Sequence, residues 1–174
     1  MRLWTLNEKV RVEDVLRWCV ESRRANRLMF ISRIDTDRSG RELLDPDVDR
    51  TVAAIFASDV LRTPWVTAWP VTELVDHVAK AYIIRLDENV MHRASGAQQM
   101  LFKWSGANVP PLPEDCCAYR VGDLLPALVT RTHTRDAWLF HDGEVALDMA
   151  REAVWDPEIL EYIPATPDFV RVTD

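Results

Sequence analysis

The densest group of chemically capable side chains lies between positions 114 and 142: Glu114, Asp115, Cys116, Cys117, Arg120, His133, Arg135, Asp136, His141 and Asp142. Imidazoles beside carboxylates can hold a divalent metal, and a histidine that titrates near neutral pH can serve as a general base. On that reading Glu114, Asp115 and His133 form a catalytic group, with or without a metal, and hydrolysis is the reaction class. The two histidines stand eight positions apart, which matches no established metal-ligand spacing, so no metal site is assigned. The competing reading is structural: Glu114-Asp115 closes a loop, and Asp142-Gly143 makes a turn. The sequence leaves the choice between enzyme and non-enzyme open.

The strong catalytic and cofactor motifs are absent. The chain has five glycines and neither a P-loop nor a G-x-G-x-x-G, and loops that cradle phosphates need glycine so that the backbone can approach closely. It also lacks H-E-x-x-H, paired C-x-x-C and G-x-S-x-G. No cofactor is implied. Cys19, Cys116 and Cys117 make an odd count with one adjacent pair, a poor disulfide framework. They read as reduced thiols in a core.

Three features suit binding. Residues 136–174 carry a net charge of −8 within a chain of net −7, while residues 1–41 carry +4. A basic front and an acidic back can attract each other within one fold, or mark two faces. The leading expectation is a partner-binding module of the immunity type. Its acidic face would hold Glu144, Asp148 and Glu152 and meet a basic protein, such as a nuclease toxin or another nucleic-acid-binding protein. Seven tryptophans are many for 174 residues, and Trp65 and Trp69, beside prolines, are candidates for a rigid contact loop; the alternative is that they fill the core. Third, Arg23, Arg24 and Arg27 with nearby Trp18 and Phe30 offer an RNA-binding patch, against which stand the acidic total and the interleaved acids. His77 and His92 read as helix-surface residues.

From Leu112 the string L-P-E-D-C-C-A-Y-R-V-G-D, followed from Thr132 by T-H-T-R-D-A-W-L-F, is similar to a group of small uncharacterised bacterial proteins. These carry an L-P-E-D segment, a strand, then a T-x-H or A-H-E element before a final strand pair. The similarity covers residues 112–141, and Thr134 stands where those proteins often have glutamate. It implies no activity, but it implies that Pro113-Glu114-Asp115 and His133 lie together in space.

The elements that must position these residues are those of one domain, 1–174. Val12, Val15, Leu16 and Cys19 recur at helical spacing, and Asp45-Pro46 is a helix start. Residues 72–80 also read as a short helix, and Val90, Ala94, Ala97, Leu101 and Trp104 share a helical face. Strands are expected at 2–6, 28–31, 82–84, 116–120, 127–132 and 137–141. The turn at Asp142-Gly143 should then return as a hairpin over 144–147, with a last strand at 169–172. Helices mostly precede residue 105 and strands mostly follow it, which predicts an α+β fold with an antiparallel sheet. No apolar run approaches the roughly 20 residues of a membrane span, and no signal peptide is legible, so a soluble cytoplasmic protein is expected. Arginine outnumbers lysine 18 to 3, the usage of a GC-rich genome.

Overall fold

The computed structural model describes residues 1–33, 35–36, 42–43, 46–75, 77–104, 111–145, 148, 150–154, 159, 163–164 and 169–172. In chain order the elements are β1 (Arg2–Leu6), α1 (Val12–Glu21), β2 (Arg27–Arg33), β3 (Asp35–Thr36), β4 (Glu42–Leu43), α2 (Pro46–Phe56), β5 (Val60–Arg62), β6 (Trp65–Trp69), β7 (Thr72–Glu73), β8 (Ala79–Arg85), α3 (Glu88–Ala97), β9 (Glu114–Tyr119), β10 (Leu128–Arg131), β11 (Asp136–His141), β12 (Ala150–Ala153) and β13 (Arg171–Val172). The fold is α+β, with its helices in the N-terminal part. The sheet joins the C-terminal strands β9 to β12 to strands from the N-terminal part. Its order is β12-β1-β11-β10-β9-β2-β8-β6-β13, with β5 also on β8 and β7 on β6, while β3 and β4 form a separate ribbon. Every pairing is antiparallel.

The sheet is buried on both faces, so its central strands are continuously apolar. Leu28 and Phe30 of β2 face the helices, while Met29 and Ile31 face the other way. Under the helices, Phe30 stacks on Trp104 at 4.5 Å and on Phe56 at 5.7 Å. Val15, Leu16 and Cys19 supply the buried side of α1, as their spacing predicts. Asp87 caps α3 by accepting the Val90 N–H at 2.9 Å. The opposite face encloses Val66, Trp69, Cys117, Tyr119, Phe140, Phe169 and Val170. That face must be concave. Trp69 on β6 and Asp115 on β9 are three strand spacings apart, roughly 14 Å on a flat sheet. Yet the Trp69 indole N–H donates to the Asp115 carboxylate at 3.0 Å.

Three local expectations need correction. Residues 72–80 hold no helix among those described: β6 turns at Pro70-Val71 and returns as β7, pairing Trp69 with Thr72. The turn places Val71 at φ 61, a left-handed conformation that no helix interior contains. Residues 65–69 are a strand, not a loop, because β8 offers its edge to Trp65 and Val66. Glu144 and Val145 form no hairpin arm, and residues 146–147 lie outside the described residues. β11 already pairs with β10 and β1, and β12 pairs Ala153 with Leu3 on the far side of β1. Asp45, the loop over 37–41 and much of the proline-rich stretch at 106–110 lie outside the described residues. No helix among the described residues is long and apolar enough to cross a membrane.

Candidate functional site

Glu114 and Asp115 open β9, and His133 sits in the single 3-10 turn, Thr132–Thr134, that links β10 to β11. The structure joins the two regions through one carboxylate. Asp115 is 2% exposed. One of its oxygens accepts the Trp69 indole N–H, and the other accepts the Thr132 backbone N–H at 2.7 Å. Asp115 thus pins the turn that carries His133 against the start of β9. Its chemistry is that of a buried acceptor for two donors, an indole and a backbone N–H. Glu114 is half-buried and His133 is exposed on the turn.

The rest of the turn is a compact polar knot. Thr134 Oγ1 donates to Asp136 at 2.6 Å, and Arg131 donates to Asp136 at 2.7 Å and to Thr134 at 2.8 Å. Arg135 ends the turn at φ 58 and reaches Glu8 at 3.4 Å. His133 and His141 flank opposite ends of β11, a separation of roughly 17 Å along the strand, so they do not share one site. His141 stands edge-on to Trp18 at 5.4 Å. Its Nδ1 is buried with no hydrogen-bond partner among the described residues. No group of three or more His, Cys, Asp or Glu side chains gathers into a metal-holding cluster among the described residues.

The three cysteines are free and buried. Burial pushes all three thiols up, Cys116 further through Cys117, Cys19 and Asp115, and Cys117 through Cys19; at Cys19 the Arg24 charge opposes the rise. Such thiols are packing groups, not nucleophiles.

The candidate binding residues divide. Trp69 is fully buried, whereas Trp65 is 38% exposed, so they form no common platform. Glu144, Asp148 and Glu152 are all exposed, near or on β12. Glu152 pairs with Arg2 at 3.6 Å, and Asp142 meets the Met1 amino group at 2.8 Å. The hydrogen bond and charge of that amino group hold the Asp142 carboxyl below its ordinary range. The charge asymmetry of the sequence is therefore partly answered inside the fold. Glu144 and Asp148 form no ion pair among the described residues.

Of the three predicted arginines, Arg24 is spent on packing: it donates to the Phe140 carbonyl at 3.4 Å, docking the end of α1 on β11. Arg23 is exposed at φ 55, and Arg27 is half-buried at the start of β2. Register adds a residue that sequence reasoning missed. Arg85 pairs directly with Arg27, which also pairs with Tyr119. A second missed cluster is Asp49 on α2 with Lys80 and Tyr82 on β8; Lys80 donates at 2.7 and 2.9 Å, and the Tyr82 hydroxyl donates to the same carboxylate. Only the tertiary fold brings these residues together, so no local signal could have found them. A groove of about 140 Å³ lies between α1 and α3, lined by Arg17, Val20, Glu21, Glu88, Met91 and His92. Comparison with protein-family models, with curated proteins and with solved structures finds no significant match.

Proposed function

We propose that this chain is a partner-binding module that engages a basic protein along the β12 edge of its sheet. One observation carries the reading: β12 ends the sheet, and among the described residues it hydrogen-bonds only to β1. An open edge is a template for a strand from another chain. The surroundings suit a cationic one. Glu144, Asp148 and Glu152 are exposed there, and Val154, 91% exposed, offers an apolar contact beside them. Opposite charge would steer a basic partner to this edge and make association salt-dependent. The hydrolase reading draws less support, because Asp115 is enclosed with both oxygens engaged.

The test begins by recovering the partner from lysate of the protein's own host and purifying it. Its affinity is then measured for the wild type and for Glu144→Lys/Asp148→Lys/Glu152→Lys. The triple variant should bind at least about tenfold more weakly, and the wild type should lose affinity as salt rises. Equal affinity for both proteins refutes the assignment of this edge. A separate variant, Val154→Asp, should weaken the complex without changing its salt dependence.

A further inference from the structure

We propose that Arg27 and Arg85, at adjoining ends of β2 and β8, form with the neighbouring Arg62 a binding site for a compact oligophosphate anion, such as pyrophosphate or the phosphate chain of a nucleotide. The site is independent of the β12 edge. Antiparallel pairing puts the start of β2, the end of β8 and the end of β9 side by side. Arg27 and Arg85 are direct cross-strand partners, so their side chains rise from the same face of the sheet. Like charges placed opposite one another destabilise a strand pair. Neither arginine forms an ion pair with a carboxylate among the described residues; Arg27 donates instead to the Asn26 carbonyl at 2.9 Å. Bidentate capture of phosphate oxygens would relieve the repulsion and use the guanidinium fork.

Arg120, the residue after β9, turns to the opposite face and donates to the Arg23 carbonyl at 3.2 Å, so it stays outside the site. Arg62 stands on the next strand edge, opposite Ile83 of β8. Burial and Cys117 raise the Tyr119 phenol, and the charges of Arg62 and Arg27 act against them.

The base of the site is braced before any ligand arrives. Asn26 donates its backbone N–H to Tyr119 at 2.9 Å, accepts the Leu86 N–H at 3.1 Å, and accepts the Val121 N–H on its side chain at 3.3 Å. One residue thus ties the ends of β9, β2 and β8 together, and preorganisation of this kind lowers the cost of binding. The nearest acid along the chain from Arg85, Asp87, is occupied in capping α3. A compact anion fits better than a nucleic acid strand. Single strands need exposed aromatic faces for their bases, whereas the exposed apolar residues here are Leu61, Val121 and Leu124, and Tyr119 is buried.

The experiment is calorimetric titration of the full chain with potassium pyrophosphate at physiological ionic strength, beside a parallel titration with single-stranded oligouridylate. The wild type should bind pyrophosphate, and Arg27→Gln/Arg85→Gln should bind it about tenfold or more weakly, the scale of lost charged hydrogen bonds. Its melting temperature should be no lower than the wild type's, because a like-charged pair has been removed. Arg27→Lys/Arg85→Lys should fall between the two, keeping charge but losing the fork. Should the double glutamine variant fail to fold, Arg62→Gln, on an exposed residue, should still weaken binding by a smaller factor. Absence of pyrophosphate binding, or unchanged affinity in these variants, overturns the proposal. So does oligouridylate binding that pyrophosphate does not displace, since that would mark an extended backbone site.

Discussion

Replacing Asp115 by alanine tests whether this carboxylate is a structural pin or part of a catalytic group. The residue is 2% exposed and takes hydrogen bonds from the Trp69 indole and the Thr132 backbone at 3.0 and 2.7 Å. Alanine would strand the Trp69 indole in a buried site and the Thr132 N–H in a partly buried one. Each stranded donor costs about 1–3 kcal/mol, so the variant should lose about 3–4 kcal/mol. For a chain of this length that lowers the melting temperature by roughly 10 °C. Asp115→Asn keeps one acceptor oxygen and turns an amide toward the other donor, so it should lose about half as much. Urea denaturation followed by circular dichroism measures both losses, and the indole N–H resonance of Trp69 reports the local break directly.

The outcome discriminates between readings. A catalytic carboxylate held in an active site is commonly neutral or even costly to stability, and its removal spares the fold. A pin shared by β6, β9 and the 3-10 turn cannot be removed so lightly. If Asp115→Ala unfolds within about 0.5 kcal/mol of the wild type, or if the Trp69 indole resonance does not move, the pinning argument fails and the Glu114, Asp115 and His133 group regains its claim to chemistry.

Two further outcomes follow from burial and charge. Burial would raise the Asp49 carboxyl, but hydrogen bonds from Lys80 and Tyr82 and the Lys80 charge outweigh it and hold the group below its usual range. The stabilisation is therefore present above the ordinary carboxylate pKa of about 4 and disappears as pH falls through the depressed folded value, so Asp49→Asn should be less stable than the wild type at neutral pH and match it in strong acid; a stability gap that does not vary with pH refutes this. Cys19, Cys116 and Cys117 are buried with raised thiol pKa values. A thiol-specific disulfide reagent should label none of them in the native protein at neutral pH and all of them in guanidinium, and rapid native labelling would contradict the packing.

Much of the fold was legible where one residue type repeats with the period of its element. The Val12, Val15, Leu16 and Cys19 stripe fixes α1 because helix burial depends only on local spacing. The runs at 28–31 and 82–84 fall within β2 and β8 because a strand buried on both faces is apolar throughout. Legibility failed where a neighbour from far along the chain decides the outcome. Leu74, Val75 and Val78 mimic a helical face, but the edge of β6 captures Thr72 and Glu73, leaving Val75 76% exposed. Asp142-Gly143 is a sound turn signal, but the N-terminal strand occupies the position a hairpin arm would take.

The charged residues repeat this lesson for function. Asp115 and His133 were singled out by density along the chain, and the fold does bring them to one place, through the Thr132 N–H. The same density criterion selected Arg24, which the fold spends on the Phe140 carbonyl. It passed over Arg85, which stands dozens of positions from Arg27 in the chain and one strand away in space. In an antiparallel sheet, strand ends far apart in sequence share an edge by register alone. A binding surface made there is written in the pairing, not in any segment, so the chain's chemistry is best sought at strand ends after the register is known.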